Sequence, residues 1–96
     1  MNIRTLLLAE DELTVALEYY ENISIRTAEH FIDDFHDCVE RIRQFPTAWA
    51  PITTTLRRCL FKKFEYSIIY TITPSEIIII CVMHNKQKPD YWLSRI

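Results

Sequence analysis

The 96-residue chain contains no glycine. Glycine alone reaches left-handed backbone without a Cβ clash, so Gly-rich phosphate loops of the nucleotide- or dinucleotide-binding kind are excluded. Chain reversals must use Pro46, Pro51, Pro74, Pro89, Asn22 and Asn85. Cysteine is sparse and odd in number: Cys38, Cys59 and Cys81 show no paired spacing, the pattern of reduced, buried thiols rather than a disulfide framework. Long apolar runs are missing as well. The longest, Ile77 to Met83, has seven residues, against the ~20 that a membrane helix needs. Leu6 to Ala9 runs into Glu10-Asp11-Glu12 before it could form a signal core. These absences predict a soluble cytoplasmic protein with no membrane partner.

What is present is a core former. Apolar residues make up 49% of the chain and aromatics 12%, enough for one packed domain over residues 1–96 that buries about 60–65% of its unfolded surface. The net charge of −2 hides a division. Residues 1–45 carry four basic and ten acidic side chains, and residues 46–96 carry seven basic and three acidic ones. Such a dipolar molecule favours partners of opposite sign at opposite faces.

Asn2 to Leu8 reads as a short strand. Leu13, Ala16, Leu17 and Tyr20 then recur at helical spacing, predicting a helix over about Glu10 to Asn22 with acids in its first turn. Ser24 is suited to cap a second helix. Its stripe is Ala28, Phe31, Ile32, Phe35, Cys38, Val39, Ile42 and Phe45, and Pro46 stops it. The short connection makes an antiparallel helical hairpin, with Tyr19 and Tyr20 in the core. His30 and His36 stand among Asp33, Asp34, Asp37 and Glu40, a pattern that reads as a solvated acidic face. The His36–Glu40 spacing lacks a third metal ligand at helical distance.

From Leu56 the period changes to two. Phe64 to Thr73 alternates, Thr73-Pro74-Ser75-Glu76 has turn chemistry, and Ile77 to His84 reads as a central strand covered on both faces. A turn centred on Pro74-Ser75 pairs Tyr70 with Ile79, Ile68 with Cys81, Tyr66 with Met83 and Glu65 with His84, a register that one bulged residue would undo. The expected fold is α+β: a small antiparallel sheet in the order strand-helix-helix-strand-strand-strand, with the helical hairpin on one face. A short helix can follow Pro89.

This order of parts resembles the RelE/ParE toxins of bacterial type II toxin–antitoxin systems. Ala16-Leu17-Glu18-Tyr19-Tyr20 is similar to that family's Ala-x-x-Tyr-Tyr segment, and Ala28 and Phe31 resemble its second helix. Ile42, Pro46 and Trp49 resemble the helix end and the connection after it. Arg57-Arg58 resembles the family's Arg-Arg strand, and Phe64 to Tyr70 its Phe-Pro-Tyr-x-Ile-x-Tyr strand. His84, Pro89, Tyr91, Trp92 and Arg95 match a His-x-x-Arg-x-Pro-x-Tyr-Trp-x-x-Arg ending. Two positions depart from the pattern: Glu65 replaces a proline and Gln87 an arginine.

The resemblance implies a toxin neutralised by a cognate antitoxin, and three actions stay open. The first is ParE-like binding of DNA gyrase without catalysis. The second is ribosome-dependent mRNA cleavage, in which a 2′-hydroxyl attacks the adjacent phosphate. That step needs a base, cations for the developing charge and an acid. His84 or Glu65 could serve as base, Arg58 with Lys62 or Lys63 as charge stabilisers, and Tyr91 as a stacking group or proton donor. A facing Glu65 would favour the charged form of His84, although a cross-strand Glu–His pair can equally be structural. The third is an attenuated member that only binds its antitoxin. Contacts to a target or nucleic acid would come from Arg57, Lys62, Lys63, Lys86, Lys88, Trp92 and Arg95, basic with aromatics interleaved. Trp92 could instead anchor the tail on the sheet. Arg57 and Arg58 lie on opposite faces of their strand. No cofactor is implied, and assembly would be toxin with itself or with antitoxin.

Overall fold

A single residue separates the two helices. Ser24, with extended backbone, ends α1 (Leu7–Ile23) and begins α2 (Ile25–Gln44). Its N–H bonds the Tyr20 carbonyl at 3.0 Å, and its Oγ accepts from Thr27 N at 3.0 Å. One side chain therefore caps the second helix while its own backbone closes the first. The computed structural model describes residues 1–87 and 91–95. Lys88 and Pro89, both singled out above, lie outside the described residues.

The α+β architecture stands, with two additions. The sheet has five strands in the order β1-β5-β4-β3-β2: β1 (Asn2–Thr5), β2 (Ala50–Pro51), β3 (Leu56–Leu60), β4 (Tyr66–Ile72) and β5 (Glu76–His84). The two-residue β2 on the far edge is new, and β1 pairs parallel to β5, so the sheet is mixed. β1 stops at Thr5 rather than Leu8 because Leu6 already offers its carbonyl to Glu10 N at 3.0 Å, the first bond of α1. The turn after β4 is built as its residues imply: Thr73 and Glu76 exchange backbone and hydroxyl bonds of 2.8–3.0 Å.

Each sheet face buries a different cluster. Under the helices lie Phe31, Phe35, Cys38, Ile42, Ile68, Tyr70, Ile77, Ile79 and Val82, with Tyr20, Phe64 and Tyr66 packed against them. The other face holds Leu56, Ile69, Ile80, Cys81 and Met83, covered by Trp92 from a tail that ends in a 3-10 turn, Leu93–Arg95. Tyr70 ties the helix end to the sheet, its Oη donating to Pro46 O at 2.6 Å. Phe45 and Tyr19, expected inside, are about 60% exposed. Phe45 has already left helical geometry ahead of the proline, and Tyr19 sits on the outer flank of α1.

Asp34 is the largest departure from a solvated acidic face. It is buried, and its carboxylate accepts three backbone N–H groups of the β3–β4 turn, from Lys62 (3.1 Å), Lys63 (2.8 Å) and Phe64 (2.9 Å). A glycine-free turn is thus held by a side chain from α2. Charge-assisted bonds of this kind are individually stronger than neutral ones. Asp34→Ala should lower stability by about 2–4 kcal/mol, and Asp34→Asn by less, as checked by urea unfolding. A loss below about 0.5 kcal/mol for the alanine variant would mean that the turn holds itself.

Candidate functional site

The site forms where β1 ends and β5 continues alone. β1 covers β5 only as far as Ile79, whose carbonyl takes Leu6 N at 3.0 Å. Beyond it the edge of β5 is completed by side chains. Val82 N donates to Glu12 Oε1 at 3.2 Å, and Ile80 O accepts from Arg95 Nη1 at 3.0 Å. Glu12 and Arg95 are themselves joined in a two-pronged ion pair, 2.8 Å for Nη1–Oε1 and 3.2 Å for Nη2–Oε2. Tyr91 Oη donates to the same carboxylate at 3.1 Å and lies 3.2 Å from Cys81 Sγ, while the Arg95 guanidinium stacks over the Tyr91 ring at 5.3 Å. Both ends of the ion pair are largely buried, where such pairs are screened little.

These contacts set the acid–base character of the groups. Burial first, then the bond to Cys81, drives the Tyr91 phenol up from its ordinary value. Burial likewise pushes the Cys81 thiol up to about 12. The bonds to Glu12 raise Arg95. All three stay in their protonated forms near neutrality. Tyr91 is thereby a fixed donor to Glu12.

His84 closes the other end of β5. Its Nδ1 accepts from Lys86 N at 3.1 Å, its own backbone N–H donates to Gln87 Oε1 at 3.0 Å, and its ring meets Tyr66 edge-on at 5.1 Å. With Nδ1 as acceptor, the neutral ring carries its proton on Nε2. Gln87 supplies an acceptor that an arginine could not, since guanidinium has none.

The expected Glu65–His84 pair is not formed. Tyr70 pairs with Ile79 as anticipated, but a bulge at Ile80 shifts everything beyond it, so Ile69 faces Cys81, Ile68 faces Val82, and Tyr66 faces His84. Glu65 is exposed and offers only its carbonyl, to Asn85 N at 2.8 Å. The shift also decides which groups share a face. His84 joins Tyr66 on the helix side. Arg58, opposite Ile69, joins the tail side, where its Nε bonds Ser67 Oγ at 2.9 Å and its Nη2 bonds Asn85 Oδ1 at 3.0 Å. Arg57 points the other way and holds the connection after α2, donating to Thr47 O and Trp49 O at 3.0 and 2.8 Å.

Lys62, Lys63 and Lys86 are exposed, with Lys62 Nζ 3.8 Å from Asp37. Trp92 is buried as an anchor, so its ring is not offered to a partner. The structure thus gathers Tyr91, Arg95 and His84 near one groove and leaves Arg58 and Glu65 apart from it. Glu12 and Ser67 were not anticipated from the sequence, and Gln87 and Asn85 were noted there without these bonding roles. Nothing local distinguishes Glu12 from Glu10 and Asp11. Among the described residues no cluster of His, Cys, Asp and Glu could hold a metal ion, and no helix is long and apolar enough to cross a membrane.

Residues 3–89 match the family model described as the ParE toxin of the type II toxin–antitoxin system, parDE. The chain belongs to the ParE toxin family. Toxin ParE2 of Mycobacterium tuberculosis, in strains CDC 1551 / Oshkosh and ATCC 25618 / H37Rv, is 32% identical over 82 residues, covering 84% of this chain and 78% of that protein. The fold is similar to a chain of a solved structure titled the chromosomal ParDE TA system from P. aeruginosa. The TM-score is 0.63 at 14% identity, over 88% of this chain and 95% of that one. This ParE-family member therefore carries the fold expected of it.

The clasp makes a testable demand on Cys81. Glu12→Ala should free the tail and raise the alkylation rate of Cys81 by about tenfold or more, the equivalent of ~1.4 kcal/mol of local opening. Cys38, buried under the helices, should stay protected as an internal control. Site-resolved mass spectrometry checks both, and an unchanged Cys81 rate would show that Glu12 does not hold the tail.

Proposed function

We propose that this chain is the toxin of a two-protein system in the cytoplasm, that it inhibits growth by binding DNA gyrase through its surface, and that a small cognate antitoxin neutralises it. Family membership supports the toxin role. The observation that carries the non-catalytic reading is the commitment of His84. Its one lone-pair nitrogen accepts from the Lys86 amide, so it is not free to take a proton from a substrate hydroxyl. Arg58, the cation paired with it in a nuclease reading, lies on the opposite face of the sheet. Tyr91 is engaged with Glu12 and Cys81 rather than held ready as an acid.

A poison that acts by surface complementarity needs none of these groups to move a proton. The contact surface would then draw on exposed groups such as Tyr91, which is 40% exposed, and Lys86. Tyrosine is among the residues enriched at protein–protein hot spots, and the lysines add positive charge around it.

Inducible expression in bacteria tests the reading. His84→Gln keeps a polar side chain of similar reach that cannot titrate. It should remain as toxic as the wild type, with induction of the DNA-damage response in both. Loss of toxicity in a folded His84→Gln protein, together with wild-type cleavage of ribosome-bound mRNA, would contradict the proposal and favour the nuclease.

A further inference from the structure

Two of the three cysteines converge where β3 runs past its outer neighbour. β2 pairs with β3 only at Arg57 and Arg58, so among the described residues no strand covers Cys59 and Leu60 on that side. Side chains of α2 take the place. Cys38 Sγ lies 3.5 Å from Cys59 O and 3.9 Å from Leu60 O, and Arg41 Nη2 donates to Leu60 O at 3.1 Å. Cys59 Sγ stands 4.0 Å from the same Leu60 oxygen, and Arg41 Nη1 donates to that sulfur at 3.6 Å. Both thiols are buried. The Arg41 side chain reaches from the Cys59 sulfur outwards, with its Nε on the exposed Asp37 carboxylate at 3.0 Å.

Packing alone does not ask for this arrangement, since any small apolar residue could fill positions 38 and 59. A guanidinium aimed at a sulfur is what favours the thiolate over the thiol. The hydrogen bond from Cys38 lowers the Cys59 thiol from its ordinary value, burial opposes that, and Arg41 adds to the lowering. The same bond, together with burial, drives Cys38 up. One sulfur is thus prepared as a nucleophile and its neighbour keeps its proton. Cys81 differs: its sulfur meets the Glu12 carboxylate at 3.6 Å and the Tyr91 hydroxyl at 3.2 Å.

We propose that Cys38 and Cys59 are a peroxide-sensitive thiol pair, in which Cys59 is oxidised first, Cys38 resolves it, and a disulfide between α2 and β3 is the product. Cys59 releases its proton and its sulfur attacks one oxygen of hydrogen peroxide. The O–O bond breaks, the second oxygen leaves with a proton as water, and Cys59 carries a sulfenic acid. The Cys38 sulfur then attacks the Cys59 sulfur. An S–S bond forms, the S–O bond breaks, and the hydroxyl departs as water with the Cys38 proton. Two thiols lose two electrons in all, and one peroxide becomes two waters. Transient disulfides of this kind are compatible with a reducing compartment. The bridge closes a loop over residues 38–59, which fastens the end of α2, Pro46 and Trp49 to the sheet.

The test uses the full folded chain, freed of reductant and treated with hydrogen peroxide, followed by peptide mass spectrometry. The wild type should lose two hydrogens and yield a linked Cys38–Cys59 peptide while Cys81 stays a free thiol. Cys38→Ala should stop at a sulfenic acid on Cys59, trapped by a 1,3-diketone reagent. Arg41→Met, which keeps bulk and removes the cation, should slow the reaction by about tenfold or more, and Arg41→Lys should restore most of the rate. Circular dichroism of each variant verifies its fold, and the wild-type peptide map decides the linkage even if a variant unfolds. Oxidation of Cys81 as fast as Cys59, a bridge that involves Cys81 or a second chain as the main product, or an Arg41→Met rate equal to that of the wild type would each overturn the proposal.

Discussion

One carboxylate organises the candidate functional site of this molecule. Glu12 accepts from the edge of β5 through Val82 N, from the tail through Tyr91 Oη, and from the guanidinium of Arg95, which bonds Ile80 O in turn. It therefore does the work of a missing strand. β1 is too short to cover β5 beyond Ile79, and a bare edge there would leave backbone groups unpaired. A helix side chain and a tail side chain fill that place together. Because Arg95 is held, the preceding turn of the tail is held, and Trp92 is kept over the second core cluster. A partly buried ion pair of this kind is not cheap to form, since both charges lose water. Its use lies in joining α1, β5 and the tail in one geometry.

A second constraint is the bulge at Ile80. Side chains along a strand alternate faces, so one extra residue exchanges the faces of everything beyond it. Without the bulge, Ile68 would face Cys81 and Glu65 would face His84. With it, His84 opposes Tyr66 and packs towards the helices, while Arg58 is left with Ser67 and Asn85 on the other side. The separation of these two groups follows from a register change four residues before His84, about 13 Å of strand at ~3.3 Å per residue. The same geometry makes Gln87 useful where relatives of the fold were expected to carry arginine: it caps the last strand amide as an acceptor.

The parts of the fold legible in the sequence are those with local periodicity. The α2 stripe, the Ser24 boundary and the change to period two at Leu56 each show within one turn or one strand. The register of β5 does not, because Ile77-Ile78-Ile79-Ile80 offers the same side chain to both faces. Sliding that run by one residue exchanges isoleucine for isoleucine, so pattern alone cannot detect the bulge. Asp34 and Glu12 were hidden for a different reason. Their partners stand 28 to 83 residues away, and before folding each is one acid among several on a helix. The parallel pairing of β1 was equally silent, as a four-residue strand carries too little alternation to choose a neighbour. Of the candidate site, Tyr91, Arg95 and His84 were named from the sequence, while Glu12, which bonds both Tyr91 and Arg95, was not.

The most direct test of this account is a double-mutant cycle on Glu12→Ala and Arg95→Ala, with stability measured by chemical unfolding. If the two charges act as one clasp, each single variant leaves its partner exposed to the full penalty of an unpaired charge, and the double variant recovers part of it. The account predicts a coupling of about 1.5–3 kcal/mol. Additivity within about 0.5 kcal/mol would contradict it, and would leave the tail held by Trp92 packing alone.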